Sequence, residues 1–124
     1  MQSRIIITHI LNNIVQFTLC NYNTPIGFAR YSVQNQTAIL NNLHIDPDYR
    51  KQGHGSRFMR TAEDVMKHHF AIRQMNLTAW QPAGSYEIVD FYIKNGFVLS
   101  NQPIGTYDDY RVLYDLYSMC KPLC

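Results

Sequence analysis

Short apolar blocks rich in β-branched residues recur along residues 5–45, and blocks of this length are typical of strands. Polar segments of a few residues separate them, and connections this short join antiparallel neighbours. The pattern therefore predicts a meander of four antiparallel strands. The predicted strands are Ile5–Ile10, Ile14–Asn21, Ile26–Val33 and Thr37–Ile45, and the predicted turns are Leu11–Asn13, Asn23–Pro25 and Gln34–Gln36.

The hydrophobic period changes at Ser56, where apolar residues begin to recur at intervals of three and four. That spacing places them on one face of a helix. The members of this face are Phe58, Met59, Ala62, Val65, Met66, His69 and Phe70. Met75, Leu77 and Ala79 then alternate as a fifth strand, which ends at a break over Gln81–Gly84.

A second helix is predicted between Ser85 and Asn95. The Ser85 hydroxyl can cap its first turn, acidic residues follow near its positive end, and a lysine lies near its negative end. Gly96 can end the helix in a left-handed conformation. The segments Phe97–Leu99 and Arg111–Tyr117 complete the predicted sheet.

The resulting order is four strands, a helix, a strand, a helix and two strands, in a chain of 124 residues. This order predicts an α/β (α+β) fold with helices on a mixed sheet, and the length predicts one domain over residues 1–124. The 11 basic and 9 acidic residues are too balanced to indicate a nucleic-acid or membrane partner. No apolar stretch approaches the ~20 residues that cross a membrane. Three cysteines without a recognisable secretory signal favour a reducing, cytoplasmic setting, and they are too few and too dispersed to predict a metal site.

The fourth predicted strand contains a conflict of register. Ala38 and Leu40 share one parity, whereas Leu43 and Ile45 share the other, and a regular strand cannot point both pairs at one face. One extra residue at Asn41-Asn42, a β-bulge, would restore the register and leave backbone groups unpaired. A plain bend at this dipeptide, or burial of both faces, would explain the same pattern.

The segment Arg50-Lys51-Gln52-Gly53-His54-Gly55 lies between this strand and the first helix. The first backbone N–H groups of a helix have no internal partners, and the helix dipole adds partial positive charge there. Glycines allow an anion to approach the backbone closely, so the segment can bind a phosphate. It matches neither the Rossmann fingerprint nor the P-loop, and a tight strand-to-helix turn is the alternative.

These residues resemble the signature loop of the GNAT superfamily of acetyl-CoA-dependent N-acetyltransferases, which has the form Arg/Gln-x-x-Gly-x-Gly/Ala. The segment Leu43–Arg50 resembles the strand that leads into this loop, and Tyr92–Phe97 resembles the second motif, an aromatic helix that ends in Gly-Phe. The tail Leu116–Leu123 is also similar. The resemblance runs from about residue 14 to the end. It implies a GNAT-like, mostly antiparallel sheet of about six to seven strands, with a splayed strand pair that holds coenzyme A.

The resemblance also implies roles for individual residues. Backbone groups of Leu43 and Ile45 would hydrogen-bond the pantetheine arm of coenzyme A, and Arg50 and Lys51 would border its pyrophosphate. The residues that would cradle the pyrophosphate are Gln52, Gly53, His54, Gly55 and Ser56. Tyr92 would protonate the departing thiolate, a task that suits a phenol with an ordinary pKa of about 10.

The chain departs from the family pattern in three places. Many members carry a carboxylate base on the fourth strand, but residues 37–45 contain none. Either His44 or a water relay would take the proton of the amine, or the substrate would bind already deprotonated. Ser85 stands where the family often has asparagine, which weakens that contact with the coenzyme. The two helices that usually follow the first strand are replaced by Leu11–Asn13. The acceptor site would then be open, or completed by a second subunit in a homodimer.

The expected function is direct transfer of an acetyl group from acetyl-CoA to a primary amine in a ternary complex. Backbone N–H groups near the bulge would stabilise the oxyanion, and the acceptor is a small-molecule, protein or peptide amine. Asp108 and Asp109, between Tyr107 and Tyr110, either hold a cationic amine or form an acidic surface loop. A non-catalytic acyl-CoA-binding sensor or partner module is the alternative. The missing carboxylate and helices favour that alternative, and Tyr92 argues against it.

Overall fold

The computed structural model describes residues 3–99, 103–109 and 112–123. The elements of this part are β1 Ser3–Leu11, β2 Ile14–Asn21, β3 Thr24–Gln34, β4 Thr37–Ile45, α1 His54–His69, β5 Gln74–Pro82, α2 Glu87–Lys94, β6 Val98–Leu99, β7 Gly105–Asp109 and β8 Val112–Pro122. A short 3-10 helix, Pro47–Tyr49, lies between β4 and α1. None of the helices in the described ranges is long and apolar enough to cross a membrane.

All eight of these strands belong to one sheet. The order is β1-β2-β3-β4-β5-β8-β6, and β7 also pairs with β8. β4 and β5 run parallel and are connected through α1, whereas the other described pairs are antiparallel. The predicted mixed, mostly antiparallel sheet is confirmed. It gains β7 in a segment that the sequence analysis assigned to a loop.

One face of the sheet carries the core, and we call it the covered face. Buried strand residues align across the register, because Phe17 lies opposite Ala29 and Leu40 lies opposite Leu77. The helix residues that join the same buried cluster are Phe58, Met59, Ala62 and Met66 of α1 and Val89 of α2. Both helices therefore pack on the covered face, as the helical spacing of these apolar residues predicts.

The opposite, uncovered face is largely polar over β1–β3. The hydroxyls of Thr8 and Thr18 lie 2.9 Å apart, and Arg30 Nη2 donates to Gln16 Oε1 at 2.7 Å. Cross-strand pairs of this kind are well solvated, so this part of the sheet needs no apolar cover.

Residues with positive φ determine where the first two turns lie. Asn12 and Asn13 have φ values of 52° and 69°, as a type I′ turn requires, so β1 and β2 form the predicted hairpin. The second turn is Tyr22-Asn23 and not Asn23–Pro25, because Tyr22 adopts φ 55° and Pro25 already lies in β3.

The prediction that Ser85 caps α2 is wrong. The N-cap residue is Tyr86, whose side chain makes no capping hydrogen bond. Instead, Oε1 of the buried Gln81 accepts hydrogen bonds from the N–H groups of Ile88 and Val89 at 2.8 and 2.9 Å. Sequence reasoning misses this cap because Gln81 lies on β5, outside the local pattern that defines an N-cap.

The remaining boundaries are close to the predictions. Helix α1 begins at His54, two residues before Ser56. Gly96 follows α2 with φ 96°, which confirms the left-handed stop. Of the predicted last strand, Arg111 lies outside the described residues, and β8 continues to Pro122.

The predicted bulge in β4 is confirmed. Arg30 pairs with Asn42 and Tyr31 pairs with Leu40, so Asn41 is the extra residue. The parallel pairing with β5 ends at the same point, where Leu40 lies opposite Leu77. Beyond it β4 and β5 are no longer paired, which is the splayed strand pair expected from the resemblance.

Candidate functional site

A cleft of about 980 Å³ occupies the gap beyond the last β4–β5 pair. Its walls are the end of β4, the loop before α1, the second half of β5, and α2. The residues that line it are Leu43, His44, Ile45, Arg50, Lys51, Gly53, Gly55, Ser56, Thr78, Ala79, Trp80, Glu87, Ile88, Asp90, Phe91, Tyr92 and Lys94. The predicted site residues thus come together here, except Gln52, His54 and Ser85.

The loop before α1 has the backbone geometry of an anion site. Lys51 and Gly53 have φ values of 59° and 81°, and turns into the left-handed region can point successive N–H groups toward one ligand. The first helical hydrogen bond runs from the N–H of Arg57 to the carbonyl of Gly53 at 3.2 Å. The N–H groups of residues 54–56 precede this bond and have no helical partners. The loop therefore fits a phosphate group.

The two glycines of the loop differ in what their missing side chains allow. A Cβ on Gly53 would meet the tip of the flexible Arg57 side chain, with Nη1 at 3.0 Å. A Cβ on Gly55 would lie 3.3 Å from Cζ of Phe91. Gly55 therefore makes room for the packing of α2 on α1, a reason that the sequence does not reveal.

Some loop groups are already engaged within the protein. Nε of Arg50 donates to the carbonyl oxygen of Ile45 at 2.7 Å. One lone pair of this oxygen, which was expected to bond the pantetheine arm, is therefore already occupied. The His54 ring is buried, where Nδ1 accepts from Nη2 of Arg57 at 2.9 Å and Nε2 lies 3.3 Å from Oε1 of Gln52. This ring borders a smaller second cavity, so any contact of His54 with the main cleft is through its backbone.

An ion pair between a buried carboxylate and a partly buried lysine connects the elements around the cleft. Nζ of Lys121 donates to Oε1 of Glu63 at 2.7 Å and to the carbonyl of Asn95 at 2.8 Å. Nδ2 of Asn95 in turn donates to the Ser56 hydroxyl at 3.2 Å. Burial raises the pKa of Glu63, and the ammonium of Lys121 opposes that shift. These contacts hold α1, the end of α2 and β8 in one arrangement.

Tyr92 stands on α2 at the wall of the cleft. Its half-buried ring packs edge-on against Phe91 and Phe97, with centroid distances of 5.3 and 5.7 Å. Burial raises the pKa of the Tyr92 hydroxyl, because the phenolate would lose hydration. The cleft therefore contains a phenol that stays protonated at neutral pH.

His44 lies on the uncovered face, the far side of the sheet from Leu43. It is opposite Phe28, with ring centroids 5.7 Å apart, whereas Leu43 is opposite the buried Ala29. Nε2 of His44 lies 3.2 Å from Oδ1 of Asp46, and both side chains are nearly half exposed. Asp46 follows β4 directly and so lies one residue outside the segment 37–45, in which a carboxylate base was expected.

Two further expectations concern residues away from the cleft. Ser85 does not line it, and its N–H donates to the carbonyl of Pro82 at 3.1 Å. Asp108 lies in β7 and also does not line it. Tyr110 and the side chain of Asp109 lie outside the described residues.

The structure adds Trp80 to the cleft, a residue to which the sequence analysis gave no role. A signal was present, because Trp80 falls between the buried positions Ala79 and Gln81 and so points to the opposite face. An aromatic side chain that leaves the core at a strand end is a candidate binding residue.

Comparison with known proteins gives a matching family model and a relative at the sequence level. The family model, described as an acetyltransferase (GNAT) domain, matches residues 13–99. The protein YyaT of Bacillus subtilis (strain 168) is 31% identical over 80 residues, which are 64% of this chain and 50% of YyaT. The match thus spans about half the length of that relative.

Solved acetyltransferases share the fold. The ribosomal-protein-S18-alanine N-acetyltransferase from Escherichia coli superimposes with a TM-score of 0.82 over 98% of this chain and 94% of its own, at 17% identity. The PaiA N-acetyltransferase from Thermoplasma acidophilum, in complex with coenzyme A, gives a TM-score of 0.68 over 90% of this chain and 62% of its own, at 23% identity. At these identities the likeness concerns the fold.

Proposed function

The chain belongs to the GNAT acetyltransferase family, and from this premise we propose that it moves an acetyl group from acetyl-CoA to a primary amine within a ternary complex. Membership of the family indicates an acyltransferase. The amine acceptor and the direct transfer are our proposal. The observation that carries it is the single cleft that brings the anion-binding loop, Tyr92 and His44 together.

The cleft has the features that coenzyme A requires. Its pyrophosphate would lie on the N–H groups of residues 54–56, with Arg50 and Lys51 supplying positive charge beside them. The unpaired edge of β4 at Leu43 and Ile45 offers backbone groups to the amide-bearing pantetheine arm. The crystallised PaiA relative, which carries coenzyme A, supports this assignment.

When bound, acetyl-CoA would supply a thioester, whose acyl carbon is open to attack by an amine. The new bond joins the amine nitrogen to that carbon, and the bond from carbon to sulfur breaks. Tyr92 would give its hydroxyl proton to the sulfur, because its half-buried phenol is protonated at neutral pH. N–H groups near the bulge at Asn41 would stabilise negative charge on the acyl oxygen.

His44 would take the proton that the amine loses. The contact with Asp46 orients the ring, as carboxylates do for catalytic imidazoles. Direct transfer fits the cleft because neither Cys20 nor Cys120, the cysteines among the described residues, lines it to form an acyl-enzyme. These free thiols also suit a reducing compartment, and we place the activity in the cytoplasm.

We further propose that the chain forms a homodimer through β1. This strand is a sheet edge, and its unpaired backbone groups are free to bond a second copy. Ile10 and Leu11 on it are 60% and 58% exposed. Sedimentation should give twice the monomer mass of 14.5 kDa at micromolar concentration, and a clean monomer contradicts the dimer.

The test of function combines coenzyme binding with turnover. Acetyl-CoA should raise the melting temperature of the protein, because a ligand bound only to the native state stabilises it. Thiol should be released when a panel of small amines, polyamines and peptides is added. Binding without release for every acceptor would favour the alternative of an acyl-CoA-binding sensor module.

A matched pair of glycine variants locates the coenzyme. Gly53→Leu and Gly84→Leu impose similar backbone strain, since the two φ values are 81° and 84°, but only Gly53 lines the cleft. The melting shift with acetyl-CoA should disappear in Gly53→Leu and persist in Gly84→Leu. An equal shift in both variants rejects the proposed pyrophosphate site.

A further inference from the structure

Three aromatic rings form a cluster at the open end of β5. The ring centroid of Trp80 lies 5.0 Å from that of Tyr107 and 6.0 Å from that of Tyr114. Trp80 and Tyr107 are 46% and 48% exposed, so their surfaces are available to a ligand. We call these three residues the aromatic cluster.

The aromatic cluster belongs to the uncovered face. Trp80 alternates with the buried Ala79 and Gln81, and Tyr107 lies opposite Tyr114 in the β7–β8 pair. Helix α2, which Gln81 caps, is on the other side of the sheet. A ligand held by the cluster would therefore approach the cleft from the side opposite to α2.

Trp80 and His44 line the same cleft from the two sides of the strand separation. His44 is on β4 and Trp80 is on β5, and both side chains are on the uncovered face. The anion-binding loop and Tyr92 lie on elements that pack against the covered face. An acceptor that enters from the uncovered face would thus meet the base and the aromatic cluster together.

The charges around the cluster limit the kind of acceptor. The carboxylates that line the cleft, Glu87 and Asp90, stand on α2. Asp46, which lies beside His44 on the uncovered side, is already in contact with that ring. Asp108 of β7 and Asp115 of β8 are each adjacent in sequence to a tyrosine of the cluster, so they alternate to the opposite face. The described part of the uncovered side therefore offers aromatic surface and no spare pair of carboxylates for a polycation.

We propose that the acceptor is a monoamine with a flat apolar body, such as an arylalkylamine, which packs on Trp80 while its nitrogen reaches His44. This inference rests on the proposed acetyl transfer and specifies its substrate class. Offset and edge-on contacts among aromatic rings stabilise such a complex beyond the burial of apolar area, and they favour a flat ligand over a linear one.

Trp80 is the only tryptophan of the chain, so its fluorescence reports directly on this site. Titration of the protein and coenzyme A with 2-phenylethylamine should change the emission of Trp80 at lower concentration than titration with spermidine or butylamine. Tighter binding of spermidine, or an emission unchanged by all three amines, overturns the proposal.

Kinetics with variants give a second readout. Trp80→Ala should raise KM for 2-phenylethylamine roughly tenfold or more, whereas Trp80→Phe should keep most of the affinity. KM for acetyl-CoA should stay unchanged in both. Tyr22→Ala, an exposed ring in the β2–β3 turn, is the control and should have no effect.

These measurements distinguish failure of the proposed aromatic acceptor from failure of the proposed acetyl transfer. Equal KM values for 2-phenylethylamine and spermidine, unaffected by Trp80→Ala, reject the aromatic acceptor and leave acetyl transfer intact. A change in Trp80 emission with 2-phenylethylamine, without thiol release from any acceptor, supports the binding site and rejects turnover.

Discussion

The two halves of the β4–β5 pair have opposite properties. In the closed half, Thr37–Leu40 pairs with Gln74–Leu77, and Leu40 and Leu77 are buried. In the open half, the bulge at Asn41 ends the pairing, and the strands form the walls of the cleft. One inserted residue thus separates a region that stabilises the fold from a region that can bind a ligand.

The difference has a physical cause. In the closed half, the backbone hydrogen bonds between the parallel strands and the side chains that face the core are both buried. Burial of the apolar side chains stabilises this half. In the open half β4 and β5 make no such hydrogen bonds with each other, so backbone groups there can bond a ligand. The surrounding elements must then hold its shape, and the contacts among Glu63, Lys121 and Asn95 do this. Four sets of variants test this division, beginning with the largest expected effect.

Met75→Ala in the closed half should destabilise the protein by about 2–5 kcal/mol, because it leaves a cavity at a fully buried position. Thr78→Ala, three residues along β5 at an exposed position of the open half, should cost less than about 0.5 kcal/mol. Urea unfolding of both variants measures the contrast. Similar losses for the two would show that stability is not concentrated in the closed half.

Lys121→Met should cost about 3 kcal/mol at pH 7, because it leaves the buried Glu63 carboxylate without its cation. The double variant Lys121→Met with Glu63→Gln carries no lone charge and should recover most of that loss.

The loss in Lys121→Met should depend on pH. Burial raises the pKa of Glu63 in the folded state above its value in the unfolded state. Protonated Glu63 therefore contributes stability below the pKa of the unfolded state, and this contribution is lost as pH rises through the pKa of the folded state. Removing the Lys121 cation raises that pKa further. The deficit should therefore shrink toward pH 4 and grow toward pH 8, and a constant deficit over this range contradicts the assignment.

Tyr92→Phe should lower turnover roughly 100-fold if the phenol protonates the departing thiolate. The melting shift with acetyl-CoA should remain, because the ring still packs between Phe91 and Phe97. Rates measured at saturating acetyl-CoA give the result. Full activity would reassign Tyr92 to packing alone.

Asn41→Ala should destabilise the protein by less than about 1 kcal/mol, since it removes one exposed hydrogen bond of 2.6 Å to the Ser32 hydroxyl. Coenzyme binding should persist, because the apolar register and not the amide dictates the bulge. Deletion of Asn41 is the counterpart. It removes the extra residue, so a regular strand keeps Leu43 and Ile45 on the covered face and can continue its pairing with β5. Closure of the strand separation should then abolish the melting shift with acetyl-CoA.

Local patterns predicted much of the fold and part of the site. The bulge followed from the parity of Leu40 against Leu43, and the hairpin at Asn12-Asn13 followed from a short polar connection between apolar blocks. The short strand β7 was missed, because its acidic and aromatic residues have no clear alternation without the β8 pairing that defines it.

The site shows the same limit. Its loop was predicted from glycine spacing, but the cap of α2 by Gln81 and the contact between Gly55 and Phe91 join residues far apart in the chain. The contact between His44 and Asp46 could have been predicted from the sequence, because the residues are only two positions apart. The face of the sheet on which His44 lies depends on the register of β4 with β3.

The sequence by itself determined the order of the two α-helices and strands β1–β6, the bulge and the position of the anion-binding loop, since each depends on residues within one turn or one strand. Only the tertiary structure decided which residues face the cleft together. Trp80 meets Tyr107 and Tyr114 through the β5–β8–β7 pairing, and Lys121 reaches Glu63 from another element. Such contacts depend on how twisted strands and helices pack in space, and the hydrophobic periodicity of the sequence does not specify that packing.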